Sequence, residues 1–185
     1  MNRKKIIIFL IIALIVIIGV LALIKFMNKE KEAVPMEIIP LEEITDEQER
    51  QTMISLYFVN PETIVLVPEA RRVDAKILLD NPYKTLVELL IEKPKNEKLE
   101  SAIPEGTKVN SAKLKDNTVE IDLSKEFIEK QNGDVEKASI SIYSIVNTLT
   151  ELNEVNSVKI LIDGEENVKF KNCDLSLSNT FIRKD

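Results

Sequence analysis

The chain has 185 residues, 25 of them basic and 31 acidic, with no histidine, one cysteine and four glycines. The absent histidine removes the commonest general base and metal ligand, a single thiol rules out an internal disulfide, and four scattered glycines leave no phosphate-cradling loop. Residues 1–31 hold six basic residues and one acid, so the rest carries 19 basic against 30 acidic and a net charge of −11, which repels nucleic-acid backbones and anionic lipid head groups alike.

The first element in the chain is an apolar run. Ile6–Ile24 is nineteen residues without a charged or polar side chain. At about 1.5 Å per residue a helix of that length covers roughly 28 Å, close to the hydrocarbon thickness of a bilayer. The run exceeds the apolar core of a cleaved signal peptide, no small-residue cleavage site follows, and Lys25 closes it. An uncleaved transmembrane helix is therefore expected. A lipid-anchored alternative lacks its thiol, because Cys173 is the only cysteine. Arg3, Lys4 and Lys5 on one side balance Lys25, Lys29 and Lys31 on the other, so the positive-inside rule does not decide the orientation. The short N-terminal tail favours a cytoplasmic N-terminus and a single-pass protein with its soluble domain on the extracytoplasmic side.

Four parts follow from this pass: a cytoplasmic stub with the transmembrane helix (1–27), a polar linker (28–51), a globular domain (52–171) and a C-terminal tail (172–185). The linker carries Pro35, Pro40 and many acids and lacks a sustained apolar period, which is the composition of a spacer. A short helix within Leu41–Met53 stays open.

Inside the domain, Ile54, Leu56 and Phe58 alternate with Ser55, Tyr57 and Val59 as in a strand. Asn60-Pro61-Glu62 signals a turn, Thr63–Val67 a return strand that Pro68 interrupts, and Arg71–Ile77 an extension of that strand at a sheet edge, where a proline is tolerated. Asn81 followed by Pro82 marks a helix start, Tyr83, Leu86, Val87, Leu90 and Ile91 follow at helical spacing, and Pro94 stops the helix. Asp116-Asn117 joins two strands, Lys108–Lys115 and Thr118–Leu123, as a two-residue hairpin. Ser124 is placed to cap a short turn over Lys125–Lys130. Ala138, Ile142, Ile145, Leu149 and Leu152, widened by Val135 and Val146, form the longest apolar stripe. Val158, Ile160 and Ile162 make a strand closed by Asp163-Gly164, with Val168 and Phe170 as a short last strand. The fold class expected is α+β: one mixed sheet with two amphipathic helices packed on one face.

Five segments then resemble the GerMN domain family. Residues 81–94 (NPYKTLVELLIEKP) are similar to its ALxxLLxGP helix, and residues 101–109 (SAIPEGTKV) to its turn and strand. Residues 119–127 (VEIDLSKEF), 145–152 (IVNTLTEL) and 158–164 (VKILIDG) follow in family order. Lys93 stands where the family has glycine, and the lipid-bearing cysteine of many members is missing. The resemblance implies a fold like the ring-building motif of sporulation channels and secretion systems, and a role in assembly during sporulation or spore germination.

Chemistry has little to work with. Asp122, Glu126 and Asp163 are the best carboxylate set, and Asp122 with Asp163 would serve a cell-wall glycan hydrolase. Asp122 reads more simply as a strand end, and Asp163-Gly164 as a turn. Thr148 and Thr150 fit back-bonding to the preceding helical turn. Arg71-Arg72 fits a solvated strand edge before an anion site, and Cys173 an incidental thiol. No residue is assigned as catalytic, cofactor-binding or metal-ligating. The expected function is that of a non-catalytic envelope protein that meets sporulation proteins or copies of itself, and no nucleic acid. A small-ligand-binding module is the alternative, and the hydrolase ranks last.

Overall fold

The computed structural model describes residues 15–25, 50–131, 134–170 and 174–184. They belong to two units, Met1–Glu43 and Ile44–Asp185. In the first, residues 15–25 form a helix (α1) with exposed side chains. Residues 6–14 of the expected transmembrane run, and 26–49 with most of the linker, lie outside the described residues. Among the described residues no helix is long and apolar enough to cross a membrane.

The second unit is an α+β domain. Its order is β1 (Gln51–Asn60), β2 (Val65–Asp74), a 3-10 turn (Ala75–Leu78), α2 (Pro82–Ile91), β3 (Val109–Lys115), β4 (Thr118–Leu123), α3 (Glu126–Glu129), α4 (Val135–Leu149) and β5 (Ser157–Ile162). The strands make two sheets where the sequence predicted one: an antiparallel β1–β2 hairpin, and a mixed sheet ordered β3-β4-β5. In the mixed sheet β3 runs antiparallel and β5 parallel to β4. Val119, Ile121 and Leu123 of β4 lie beside Val158, Ile160 and Ile162 of β5 and are all buried. Helix α2 packs on β3 and β4, α4 packs on β5, and the two helices touch each other and β1.

The sheets stay separate because the outer edge of β1 is occupied. The Tyr57 N–H donates to Thr148 Oγ1 at 3.0 Å, and Ser144 Oγ donates to the Tyr57 carbonyl at 2.6 Å. Two residues on, Val59 and Glu100 exchange backbone bonds of 3.0 and 2.9 Å. A helix and a loop thus satisfy groups that another strand would otherwise take. The same contact explains Pro68. It pairs with Tyr57, whose backbone bonds turn away from β2, so the missing proline N–H removes nothing from the ladder. Strand β2 therefore runs unbroken through Pro68 to Asp74, where the sequence predicted a break at Pro68 with an extension from Arg71 to Ile77.

Local signals are realised where they are self-contained. Asn81 caps α2 by accepting the Lys84 N–H at 3.0 Å, with Pro82 in the first turn, and its Nδ2 donates to the Ala112 carbonyl at 2.9 Å. Losing both bonds in Asn81→Ala should lower stability by about 1–2 kcal/mol in urea denaturation. Asp116 and Asn117 have φ of 47° and 62°, the double left-handed pair that a two-residue hairpin needs. In α4, Ala138, Ile142, Ile145, Val146 and Leu149 are buried, whereas Val135 is exposed and Leu152 lies past the end of the helix.

Three expectations differ in detail. Ser124 makes no capping bond to α3; its hydroxyl accepts the Lys108 N–H at 3.0 Å and ties β4 to the start of β3. Val168 and Phe170 form no strand; the segment makes one isolated bridge, Lys169 to Ser176. The segment read as a tail packs into the domain over its described residues 174–184. Leu177 is buried in the core, and Phe181 exchanges two backbone bonds of 2.8 Å with Val158 on the edge of β5.

Candidate functional site

The carboxylates were the strongest chemical suggestion in the sequence. Asp122 and Asp163 do approach the same turn, because β4 and β5 are parallel neighbours and end together. Asp122 Oδ1 accepts the Gly164 N–H at 2.9 Å, and Asp163 Oδ1 accepts from Asn110 Nδ2 at 3.2 Å. Asp163 and Gly164 have φ of 48° and 79°, the backbone of a tight reversal. Both carboxylates thus brace the turn after β5. Glu126 stands in the first turn of α3. A bond with Ser124 and another with its own backbone hold its carboxyl below the ordinary value. Among the described residues, no three Asp, Glu, His or Cys side chains gather as a metal cluster.

Arg71 is not on a solvated edge. It is buried at 5 % exposure, where Nε and Nη2 donate to Glu69 Oε1 at 3.1 and 2.7 Å. Its guanidinium lies 5.6 Å from the centre of the Phe58 ring. Glu69 Oε2 accepts the Asn96 N–H at 2.9 Å, and Arg71 Nη2 reaches the Lys93 carbonyl at 3.4 Å. The pair therefore clamps the loop after α2 against β2. Burial pushes the Glu69 carboxyl up, but the Asn96 N–H and Arg71 outweigh it and hold the group below its usual value.

The two threonines separate. Thr150 Oγ1 bonds back to the Val146 carbonyl at 2.8 Å, as expected. Thr148 instead receives the Tyr57 N–H and belongs to a buried polar stripe on α4, Ser141, Ser144 and Thr148. Ser141 accepts from Gln131 Nε2 at 2.8 Å and donates to the Ala102 carbonyl. This stripe recurs at steps of three and four, so its spacing was visible. Its polarity hid it, since serines at helical spacing read as a solvent face.

Among the described residues, a cleft of about 320 Å³ lies between the β1–β2 turn, α4 and the C-terminal segment. Ile64, Val65, Leu66, Ile140 and Tyr143 give it apolar walls; Tyr57, Asn147, Arg183 and Lys184 give it polar ones. Ile64 sits at φ 56°, a left-handed backbone that β-branched residues avoid. The Asn60 carbonyl, which accepts the Ile64 N–H at 2.8 Å, holds it there. The Asn147 amide bonds both backbone groups of Lys184, at 3.1 and 3.4 Å. Glu151 Oε1 accepts from Tyr57 Oη at 2.9 Å and from Arg183 Nη1 at 2.6 Å, while Arg183 Nη2 donates to the Tyr57 hydroxyl. Cys173 lies outside the described residues.

Burial, then the bond to Glu151, raises the Tyr57 phenol above its ordinary value. Burial acts upward on Glu151 too, but bonds from Arg183 and Tyr57 win and lower it. A lowered carboxyl contributes stability that is complete above the ordinary carboxylate range and is lost as pH falls through the folded value. Wild type should thus exceed Glu151→Gln by less than about 1 kcal/mol at neutral pH, since the pair is partly exposed. Thermal melts at decreasing pH should show that difference closing.

Residues 55–168 match the family model Germane, described as sporulation and spore germination. The fold is similar to the first GerMN domain of the sporulation protein GerM from Bacillus subtilis, with a TM-score of 0.60 at 23% identity, covering 72% of this chain and 99% of that one. It is also similar to the tandem GerMN domains of the same protein, with a TM-score of 0.58 at 22% identity, covering 74% of this chain. The match spans 47% of the tandem structure, about half its length. No curated protein matches the chain. With the family model spanning from β1 past β5 and the GerMN fold built around it, the chain belongs to the Germane family of sporulation and spore germination.

Proposed function

We propose that this chain is a non-catalytic, membrane-anchored envelope protein whose GerMN-like domain contacts other proteins, or copies of itself, during sporulation or spore germination. The observation that carries this reading is the family match over residues 55–168. In this reading the apolar run Ile6–Ile24 is the anchor, and the short N-terminal tail supports a domain outside the cytoplasm. The use of Asp122 and Asp163 as turn braces supports a role without catalysis. A net charge of −11 beyond residue 31 favours docking to a basic neighbour, and a tether confined to a membrane makes weak contacts sufficient.

The test is to tag the full-length protein in its host and capture it with cross-linking from growing and from sporulating cultures. Recovery of envelope proteins or a higher oligomer, mainly from sporulating cells, supports the reading. Recovery alone from both cultures overturns it. Reproducible cleavage of cell-wall glycan by the purified protein, abolished by Asp122→Asn, would overturn the non-catalytic part. The cleft favours a second reading, capture of a small envelope ligand. Native mass spectrometry would then find a co-purifying molecule, and a clean spectrum counts against it.

A further inference from the structure

We draw no further inference here: the strongest candidate, the cleft between the β1–β2 turn, α4 and the C-terminal segment, belongs to the site already described, and nothing in the structure shows what covers its apolar wall of Ile64, Val65, Leu66 and Ile140.

Discussion

Replacing Arg71 by methionine should lower the stability of the domain by about 3–5 kcal/mol, read from urea denaturation at neutral pH. The methionine keeps most of the volume against Phe58 but leaves Glu69 without its cation, and the Glu69 side chain is only 9% exposed. Its remaining bond, from the Asn96 N–H, does not compensate a buried carboxylate. Without Arg71, burial acts on Glu69 unopposed by the cation and raises its carboxyl. The deficit of the variant should then begin to shrink above the ordinary carboxylate range, as pH falls through the raised value of the variant, and shrink further as pH falls through the lowered value of wild type. Arg71→Met combined with Glu69→Leu should recover much of the loss, because an apolar pair of similar volume has no charge to desolvate. If Arg71→Met lies within about 1 kcal/mol of wild type, the pair is a surface pair in solution and the clamp on the loop after α2 is absent.

The second large effect is expected at the junction of α4 with β1. Ser144→Ala with Thr148→Val removes both partners of the Tyr57 backbone and leaves one donor and one acceptor in a covered position. Each unsatisfied group costs about 1–3 kcal/mol, so the double variant should lose about 2–5 kcal/mol. The two sites are one turn apart and serve one peptide, so their effects should not add simply. Hydrogen exchange gives a local readout: the Tyr57 amide should exchange much faster while the amides of β4 keep pace with global unfolding. Thr150→Val is the control. Its hydroxyl bonds a carbonyl that the helix already uses, from Val146 to the Thr150 N–H at 2.9 Å, so its loss should stay within about 0.5 kcal/mol.

These two contacts also bear on how such a domain meets others. Strand edges are the usual route to unwanted pairing, and three edges here are engaged by side chains or single residues: β1 by α4 and Glu100, β3 by Asn81, and β5 by Phe181. The outer edge of β2 carries Pro68, which lacks a donor for a further strand. Contacts of this domain with partners are accordingly expected through surfaces and charge more than through strand addition.

Much of the fold was legible in the chain because its signals are short-ranged. The Asn81-Pro82 start of α2, the Asp116-Asn117 hairpin, the Asp163-Gly164 turn and the apolar stripes of α2, α4, β4 and β5 each rest on backbone preferences or periodicities within a few residues. Composition likewise determined the acidic character and the lack of histidine chemistry. Tertiary structure alone decided the rest. The division into two sheets depends on hydroxyls 87 and 91 residues away from Tyr57, and no local pattern encodes which edge a serine will meet. The burial of Arg71 depends on Glu69 beside it and on a loop beyond α2, so an exposed-looking charge pair became an interior clamp. The same holds for the C-terminal segment, where Leu177, Phe181 and Asn147 join a core built by residues far earlier in the chain. Local sequence sets which conformations a segment can adopt, whereas the partner of each buried polar group is chosen by the whole packing.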